Sequence, residues 1–344
     1  MVVEIENIKD KLEKLEEQTL SEYAIKSKDT KGRKYKSSPC PIRTEFQRDR
    51  DRILHSKAFR RLKHKTQVFF APNNDHYRTR MTHTLEVTQV ARTISRALRL
   101  NEDLTEAIAL GHDLGHTPFG HSGESVLNKV MDNGFRHNEQ SVRVAEHLEN
   151  LNLCRETLSG ILTHSWGLKP ETLEAQVVQI ADKVAYINHD IDDAIRAGII
   201  TENDIPQECK SYFKDERLEK MIYDVIKNST DKNNVSMSQE CFEQMNALRD
   251  WMFKTVYVNS LAKAEEDKAK NVVEQLFEHY MEILKISTNS TNTKMLQQTA
   301  CDYISGMTDQ YAVEKYSQIF IPKPIANLNT DDYIFELAKL NGLI

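Results

Sequence analysis

Glycine and proline are scarce in this chain, which has 11 glycines and 8 prolines among 344 residues. These residue types supply many of the tight turns that folds with many short strands require. Their scarcity therefore disfavours an all-β or loop-rich fold. Hydrophobic residues make up 39% of the chain and charged residues 28%, which is typical of a globular protein. The length allows one large domain or two smaller ones, with a sizeable core.

Cysteine is also rare, and its positions are scattered. The five cysteines form no CxxC pair and lie at Cys40, Cys154, Cys209, Cys241 and Cys301. An odd, dispersed set fits neither a disulfide framework nor a zinc knuckle. We therefore expect reduced thiols and a cytoplasmic location.

Long hydrophobic runs are missing as well. No apolar run approaches the roughly 20 residues that span a bilayer, and the N-terminus lacks a signal-peptide core, so we expect no membrane partner. The formal net charge of −6 gives no overall attraction to nucleic acid, and an anionic ligand would need a local basic patch. No glycine-rich loop follows a candidate strand, so Rossmann and P-loop folds have no support.

Helical periodicity dominates the pattern that is present. Apolar residues recur at helical spacing and predict helices at 4–25, 46–64, 81–99, 103–114, 137–150, 155–164 and 171–197, with further helices beyond 207 and one that holds 302–312. Polar stretches at 26–41 and 287–293 are predicted loops. The fold class that we predict is all-α.

Histidine is concentrated in one part of the chain. Five of the 12 histidines lie between positions 83 and 137, namely His83, His112, His116, His121 and His137. Four of the 11 glycines fall in the centre of this stretch, GHDLGHTPFGHSGE at 111–124. Such a concentration indicates a site rather than a random distribution.

A metal site is predicted from three separate helices. His83 shares a helix face with Val87 and Val90 and should point into the bundle, His112-Asp113 ends the next helix, and Asp182 lies on the long helix 171–197. Two imidazoles and two carboxylates suit a borderline or hard divalent cation, with positions left for water and substrate. A single histidine on an apolar face is more often a core residue, but this combination favours a metal site.

The order His83, His112-Asp113, Asp182 resembles that of the HD phosphohydrolase superfamily. Longer segments resemble its bacterial deoxyguanosine triphosphate triphosphohydrolase-like branch: QRDRDRILHSKAFRRLKHKTQVF (47–69), HYRTRMTHTLEV (76–87), GHDLGHTPFGHSGE (111–124), ADKVAYINHDIDDAIRAG (181–198) and DYISGMTDQYA (302–312). The resemblance implies an HD-domain helical bundle with additional N- and C-terminal helices. We divide the chain into an N-terminal helix and basic loop (1–45), an HD core (46–200) and a C-terminal helical region packed on that core (201–344).

The resemblance also implies an activity. A deoxynucleoside triphosphate, dGTP or several dNTPs, would be hydrolysed to deoxynucleoside and inorganic triphosphate by water attack at the α-phosphorus. The ligands of one divalent ion, which could be Mg, Mn, Co, Ni or Fe, would be His83, His112, Asp113 and Asp182. His121 matches the catalytic histidine, and Glu124 three residues later can fix its tautomer. The alternative role for His121 is to stabilise the start of a helix.

Substrate binding is implied for a further set: Gln67, Arg80, His116, His137, Lys183, Tyr186 and Asp190. Arg80 and Lys183 match phosphate-binding positions, and the two histidines either contact phosphate or only support the site. Tyr186 would pack under the deoxyribose, where a 2′-hydroxyl would clash, unless it is an ordinary core aromatic. Asp190 and Gln67 would hydrogen-bond the 3′-hydroxyl.

Several residues and rival functions stay open. Arg60 and Arg61 are candidate phosphate ligands only. In the segment 302–312, Tyr303, Asp309 and Tyr311 are polar enough to contact a base or phosphate, but their individual roles are not predicted. Another HD enzyme is the first rival, such as a 5′-nucleotidase, a cyclic-nucleotide phosphodiesterase or an alarmone hydrolase. A non-catalytic nucleotide sensor or nucleic-acid-binding regulator is the second. The basic segment 26–36 would then contact single-stranded DNA, or else form a solvated loop. The resemblance also implies a homo-oligomer.

Overall fold

The structure is a computed structural model that describes residues 7–67, 78–213, 216–257, 260–322 and 332–343. These ranges contain helices and two isolated bridges, Arg33 with Cys154 and Thr66 with Thr79, but no strand. The predicted all-α fold is therefore confirmed. The helices are α1 (Ile8–Thr19), α2 (Glu45–Leu54), α3 (Lys57–Arg61), α4 (Arg80–Ala97), α5 (Glu102–Gly111), α6 (His121–Val130), α7 (His137–Arg143), α8 (Arg155–Thr163), α9 (Leu173–Arg196), α10 (Gln207–Phe213), α11 (Arg217–Ser229), α12 (Gln239–Met252), α13 (Ser260–Thr288), α14 (Thr293–Ser305), α15 (Asp309–Phe320) and α16 (Asp332–Leu340).

Three helices, α4, α5 and α9, pack against one another at the centre of the molecule. The apolar face of α4, with Val87, Val90 and Ile94, is buried in a core that also includes Leu104 of α5 and Val184 of α9. Full burial of each such side chain contributes roughly 1.5–3 kcal/mol. The three predicted helices at 81–99, 155–164 and 171–197 are confirmed to within two residues. This central packing places His83 and Asp182 on facing helices.

The helix predicted at 46–64 is wrong in one respect, because it is broken after Leu54. Ser56 caps the new helix α3 by accepting a hydrogen bond from Phe59 N at 3.0 Å. The distant carboxylate of Glu149 accepts a second bond from Lys57 N at 2.7 Å. A tertiary partner therefore satisfies the free N–H groups of α3, and local periodicity carries no sign of it.

Other predicted boundaries need correction. Helix α1 ends at Thr19 rather than 25, because Ser21 N donates to the carbonyl oxygen of Arg99 at 2.8 Å; residues 4–6 of that prediction lie outside the described residues. Helix α5 ends at Gly111 rather than 114. The segment 137–150 is α-helical only to Arg143 and continues as a π-helical turn, Val144–Leu148.

The segment 302–312, called here the C-terminal island, is not one helix, because α14 ends at Ser305 and α15 begins at Asp309. Thr308 caps α15 by accepting a hydrogen bond from Tyr311 N at 3.2 Å. Helix α6 was not predicted; Gly120 is its N-cap residue and Gly123 lies in its first turn. Gly123 is required there because a Cβ atom would lie 2.2 Å from the carbonyl oxygen of Pro118.

A second core joins α6 to the C-terminal helices α13, α14 and α16. It buries Leu127 of α6 against Phe277 and Tyr280 of α13 and Ile304 of α14. No helix within the described ranges is long and apolar enough to cross a membrane.

A buried carboxylate, that of Asp302 on α14, ties this C-terminal part to α7. It accepts hydrogen bonds from Arg143 Nη2 at 2.6 Å, from Gln140 Nε2 at 2.9 Å and from Gln298 Nε2 at 2.9 Å. Its side chain is fully buried, and that of Arg143 is 24% exposed.

We expect Asp302→Ala to lower the free energy of unfolding by about 3 kcal/mol, because it leaves Arg143 without its acceptor in a largely buried position. Chemical denaturation would measure the change. The control is Asp250→Ala, since Asp250 is 59% exposed and paired with Arg249 at 2.8 Å. The control should lose less than about 1 kcal/mol. Equal losses in both variants would contradict the role given to Asp302.

Candidate metal centre

The four predicted metal ligands lie on facing elements at the centre of the molecule. His83 Nε2 is 3.1 Å from Asp182 Oδ1, and His112 Nε2 is 3.5 Å from Asp113 Oδ2 and 3.8 Å from Asp182 Oδ1. One donor atom from each of His83, His112 and Asp113 lies within 4.8 Å of the others. Ligands bound at about 2.0–2.2 Å to one ion would show such separations.

The tautomer of His112 is set by the helix that precedes it. His112 is the C-cap residue of α5, and its Nδ1 lies 2.6 Å from the carbonyl oxygen of Ala109, so Nδ1–H donates there. In the neutral ring Nε2 carries the lone pair, and it faces the other candidate ligands. It is buried and has no hydrogen-bond partner in the described part of the chain. An imidazole nitrogen without a hydrogen-bond partner, next to two carboxylates, forms a set of ligand atoms that suits a divalent cation.

Both aspartates of the cluster are kept ionised by their neighbours. Burial alone would raise the pKa of Asp113, but His112 and Arg80 hold that pKa well below its usual range. Burial likewise opposes the charge of Asp182, and the hydrogen bond with His83 lowers its pKa. Ionised carboxylates are the form that binds a cation.

Arg80 lies in the site, but its guanidinium is already engaged. Its Nη1 donates to Asp113 Oδ2 at 2.8 Å, and its Nε and Nη2 donate to the backbone carbonyls of Thr66 and Gln67 at 3.2 and 3.3 Å. The side chain is 4% exposed. Arg80 thus ties α4 to the segment that carries Gln67.

Glu124 is shared between two histidines. Its Oε2 lies 3.3 Å from His121 Nδ1, and its Oε1 lies 2.9 Å from His137 Nδ1. It also accepts a hydrogen bond from His137 N at 2.9 Å. His121 is the first residue of α6 and is 76% exposed, so its ring faces solvent beside the cluster. The predicted pairing of His121 with Glu124 is therefore seen, although His137 is the closer partner.

His164, which the sequence analysis missed, completes this arrangement. Its Nδ1 donates to the carbonyl oxygen of Ile161 at 2.7 Å, so its Nε2 is an acceptor. His137 Nε2 lies 3.1 Å from that nitrogen and must donate, while His137 Nδ1 donates to Glu124. Burial opposes a charge on His137, yet the hydrogen bond with Glu124 raises its pKa. Both ring nitrogens of His137 therefore carry protons.

Seven of the histidines form a continuous series of ring contacts. Neighbouring ring centroids are 4.7 to 5.8 Å apart along the series His189, His83, His112, His164, His137, His116 and His121. His189 could have been found, since it follows Asp182 by seven residues and so shares its helix face. No spacing signal marked His164.

His116 lies inside this series and differs from its neighbours. It is buried, it stacks on His137 with ring centroids 4.7 Å apart, and neither of its nitrogens has a hydrogen-bond partner within the described ranges. Burial and the neighbouring Arg80 lower its pKa well below its usual value. A neutral imidazole with two unused nitrogens faces the same space as His121 and Glu124.

The predicted sugar-binding residues lie along α9 and beside it. Asp190 is buried, Tyr186 is half-buried and packs against the central core, and Gln67 is buried with its Oε1 unpartnered among the described residues. Tyr186 thus has the core contact of the alternative interpretation, while its place one turn from Asp182 also fits the sugar role.

Lys183 does not direct its ammonium at the metal cluster. Its Nζ lies 3.7 Å from the ring centroid of Trp166 and 5.1 Å from that of Phe242, and it donates to Asn246 Oδ1 at 3.2 Å. Burial lowers the pKa of Lys183 to about 8. The phosphate role predicted for Lys183 would require this side chain to swing away from the aromatic rings.

The C-terminal island contacts the turn that precedes α6. Asp309 accepts hydrogen bonds from Phe119 N at 2.8 Å and from Thr66 N at 2.7 Å. The buried ammonium of Lys65 donates to the carbonyl oxygens of His116 and Ser305. Tyr303 and Tyr311 meet through their hydroxyl groups at 3.1 Å. The island therefore contacts the backbone next to the site residues and helps to hold that backbone in place.

The remaining basic candidates are occupied by protein partners. Arg61 Nη2 lies 3.6 Å from Glu149 Oε1, and Arg60 Nε donates to the carbonyl oxygen of Ser56 at 3.3 Å. In the basic segment 26–36, Arg33 is almost fully buried and pairs with Glu45 and Asp49, while Lys28 pairs with Glu17 and Lys31 with Glu171. The loop is thus partly tied to the helices around it.

Comparison with known proteins agrees with this geometry. A model of the HD domain matches residues 80–187, and a model of a phosphohydrolase-associated domain matches residues 235–318. A deoxyguanosinetriphosphate triphosphohydrolase-like protein of Caldanaerobacter subterraneus subsp. tengcongensis is 56% identical over 336 residues, which cover 94% of this chain and 99% of that one. The chain belongs to this family of HD phosphohydrolases. The expected resemblance is confirmed.

Further relatives carry the same name. The deoxyguanosinetriphosphate triphosphohydrolase-like protein of Clostridium tetani is 44% identical over 346 residues, with 94% of this chain and 99% of that one covered. Among solved structures, a hypothetical protein from Aquifex aeolicus superposes with a TM-score of 0.48 at 21% identity, over 80% of this chain and 68% of that one.

The charge of His137 gives a test of the Glu124 network in this HD phosphohydrolase. We expect the pKa of His137 to lie above 6.5 in the wild type. In Glu124→Gln it should fall below that value, because burial then acts without the carboxylate. Imidazole nitrogen NMR over a pH series would measure both values.

The stability effect of His137 follows from the direction of this shift. Because the folded-state pKa is raised, the contribution is fully present below the unfolded pKa and is lost as pH rises through the folded pKa. The control is His121→Asn, which leaves both bonds between Glu124 and His137 in place and should keep the raised pKa. If the pKa of His137 is the same in Glu124→Gln as in the wild type, the interaction between Glu124 and His137 does not have the role given to it here.

Proposed function

We propose that this HD phosphohydrolase hydrolyses deoxynucleoside triphosphates to deoxynucleoside and inorganic triphosphate, with one divalent metal ion. The observation that carries the proposal is the convergence of His83, His112, Asp113 and Asp182 beside the pair His121–Glu124. The names of the relatives support the substrate class. The bound ion would polarise an α-phosphate oxygen and lower the pKa of a bound water.

The side chains of the chain would supply the rest of the reaction. His121 is exposed at the edge of the cluster and has a carboxylate partner on Nδ1, so its Nε2 is available to transfer a proton at the scissile bond. The doubly protonated His137 offers positive charge close by, which opposes the negative charge of a triphosphate. The C5′ oxygen would leave with the nucleoside.

Sugar selection would depend on α9. Tyr186 and Asp190 follow Asp182 by one and two helical turns, which sets the sugar next to the α-phosphate. The half-buried ring of Tyr186 is fixed by packing against the core and would resist a 2′-hydroxyl group. Asp190 and Gln67 are the proposed partners of the 3′-hydroxyl.

The central test is an analysis of the products from the four dNTPs and from GTP, assayed singly and in pairs with Mg²⁺ or Mn²⁺. We expect intact inorganic triphosphate and a deoxynucleoside. Asp182→Asn should lose more than about 100-fold in rate, which corresponds to the several kcal/mol that a bound ion contributes. Asp250→Asn, on an exposed ion pair, is the matched control and should keep the wild-type rate.

The rival HD activities make a different product. Release of orthophosphate or pyrophosphate would favour a nucleotidase-type or phosphodiesterase-type enzyme over the proposal. A chain that binds dNTPs without turning them over, with any of the metals tested, would favour a nucleotide sensor. The homo-oligomer and the binding of single-stranded DNA stay predictions, and a salt-dependent DNA titration of a chain without residues 1–40 tests the second.

Loss of the aromatic ring tests the sugar assignment separately. We expect Tyr186→Ala to let GTP compete with dGTP, with a loss of roughly tenfold or more in discrimination, because the ring that excludes the 2′-hydroxyl is gone. Competition assays with both nucleotides would measure it. Tyr186→Phe keeps the ring and should keep the discrimination. If the alanine variant still rejects GTP fully, Tyr186 is a core aromatic only.

A further inference from the structure

Lys183 directly follows the candidate metal ligand Asp182 on α9, yet its ammonium is held by groups outside the metal cluster. Its Nζ lies 3.7 Å from the ring centroid of Trp166 and 5.1 Å from that of Phe242. It also donates a hydrogen bond to Asn246 Oδ1 at 3.2 Å. Trp166, Phe242 and Asn246 therefore form a site for this ammonium, which we call the aromatic cage.

The walls of the aromatic cage are fixed by contacts that do not involve Lys183. Gln179 Nε2 donates to the carbonyl oxygens of Ser165 and Leu168, both at 3.0 Å, on either side of Trp166. The other two members of the cage lie one turn apart on α12. The two rings are 24° from parallel, with centroids 6.0 Å apart. The shape of the cage is therefore set by the surrounding chain.

The aromatic cage holds the ammonium of Lys183 less firmly than an anion would. A cation is attracted to the face of an aromatic ring, but a hydrogen bond between two charged groups is stronger. Burial lowers the pKa of Lys183 to about 8, because the buried side chain has lost much of the water around its charge. A phosphate group at the metal cluster can therefore compete with the cage for this ammonium.

We propose that the aromatic cage holds the Lys183 ammonium in the ligand-free chain and releases it to a phosphate group at the metal cluster. Trp166 and Phe242 are then positioning residues, which act on the phosphate through Lys183. The inference rests on the proposed function, because it takes the metal cluster as the place where the triphosphate binds. It adds that the cage lowers the affinity for triphosphate, since the contacts between cage and ammonium must first be broken.

The direction of the effect separates this role of Trp166 from a purely structural one. Loss of the indole ring removes a contact that competes with the phosphate, so Trp166→Leu should bind triphosphate more tightly. The expected gain is roughly two- to thirtyfold, the range that corresponds to a cation–π contact of about 0.5–2 kcal/mol. Loss of a ring that only supports the fold would leave the affinity unchanged or lower it.

The test is a double-mutant cycle between Trp166 and Lys183. The full chain, at a fixed excess of Mn²⁺, is titrated calorimetrically with inorganic triphosphate, which has the phosphate groups but no ester bond to a nucleoside. Lys183→Met should weaken binding roughly tenfold or more, because a charged hydrogen-bond donor is lost. In the Lys183→Met background, Trp166→Leu should have no further effect, since no ammonium remains to be released.

Two further variants control for changes elsewhere in the chain. Phe242→Leu removes the more distant ring of the cage and should tighten binding less than Trp166→Leu does. It also gives a second result if Trp166→Leu is unstable, which thermal denaturation would show. Tyr223→Leu, at an exposed aromatic residue on α11, is the matched control and should bind triphosphate like the wild type.

Fluorescence gives a measurement that does not depend on affinity. The chain has two tryptophans, and Trp251→Phe leaves Trp166 as the only one. Addition of triphosphate should then change the emission of Trp166, because the charge next to the indole moves away. Lys183→Met in the same background should abolish this change.

Unchanged or weaker binding of triphosphate in both cage variants, with the chain folded, would overturn the inference. So would a gain in Trp166→Leu that persists in the Lys183→Met background, or no binding of triphosphate to the wild type. The proposed function is judged separately, by the products released from dNTPs. A chain that releases inorganic triphosphate from dNTPs but fails the cycle keeps that function and loses the role of the cage. A chain that shows the expected cycle but releases other products loses the proposed function only.

Discussion

The site depends on one repeated interaction, in which a helix ends on a histidine and its last turn fixes the tautomer of that histidine. The final carbonyl groups of an α-helix have no partner inside the helix. His112 at the end of α5 and His164 at the end of α8 each use the carbonyl oxygen three residues earlier, at 2.6 and 2.7 Å. Nδ1 is thereby protonated in both rings, and both Nε2 lone pairs face the centre of the cluster. The packing of α5 and α8 against α9 holds these two lone pairs in place.

The same interaction divides the histidine series into two halves with different hydrogen-bonding properties. On one side, His112 Nε2 joins His83, Asp113 and Asp182, where a lone pair and ionised carboxylates suit a cation. On the other side, His164 Nε2 accepts a proton from His137, which Glu124 keeps charged. Groups that suit a cation and groups that suit an anion therefore lie within two ring contacts of each other. A phosphate ester that bridges a metal ion and an imidazolium needs this arrangement.

Sequence reasoning predicts those parts of the site that lie on regular helices. The spacing on α4 and α9 was enough to aim His83 and Asp182 at the same point, and the all-α class followed from helical periodicity. Sequence reasoning fails where a residue far away along the chain determines the local structure. Glu149 caps α3, Arg99 ends α1, and the aromatic rings of Trp166 and Phe242 hold Lys183, yet none of these partners is near in sequence. His164 was missed for the same reason, since its role depends on His137 and not on its own neighbours in the chain. The domain boundaries at 45 and 200 stay predictions.

The C-terminal helices are part of the site rather than an addition to it. The turn from His116 to Gly120 carries no regular structure, so its backbone N–H and carbonyl groups must find other partners. Asp309 takes the N–H of Phe119, and Lys65 bridges the carbonyl oxygens of His116 and Ser305. Both contacts are buried, and burial lowers the pKa of Lys65 to about 7 while it raises that of Asp309, so burial opposes both charges. His121 begins α6 directly after this turn, and its position therefore depends on residues almost 200 positions further along the chain. Ser305 and Asp309 both lie in the region matched as a phosphohydrolase-associated domain, 235–318, so this region helps to position the first turn of α6.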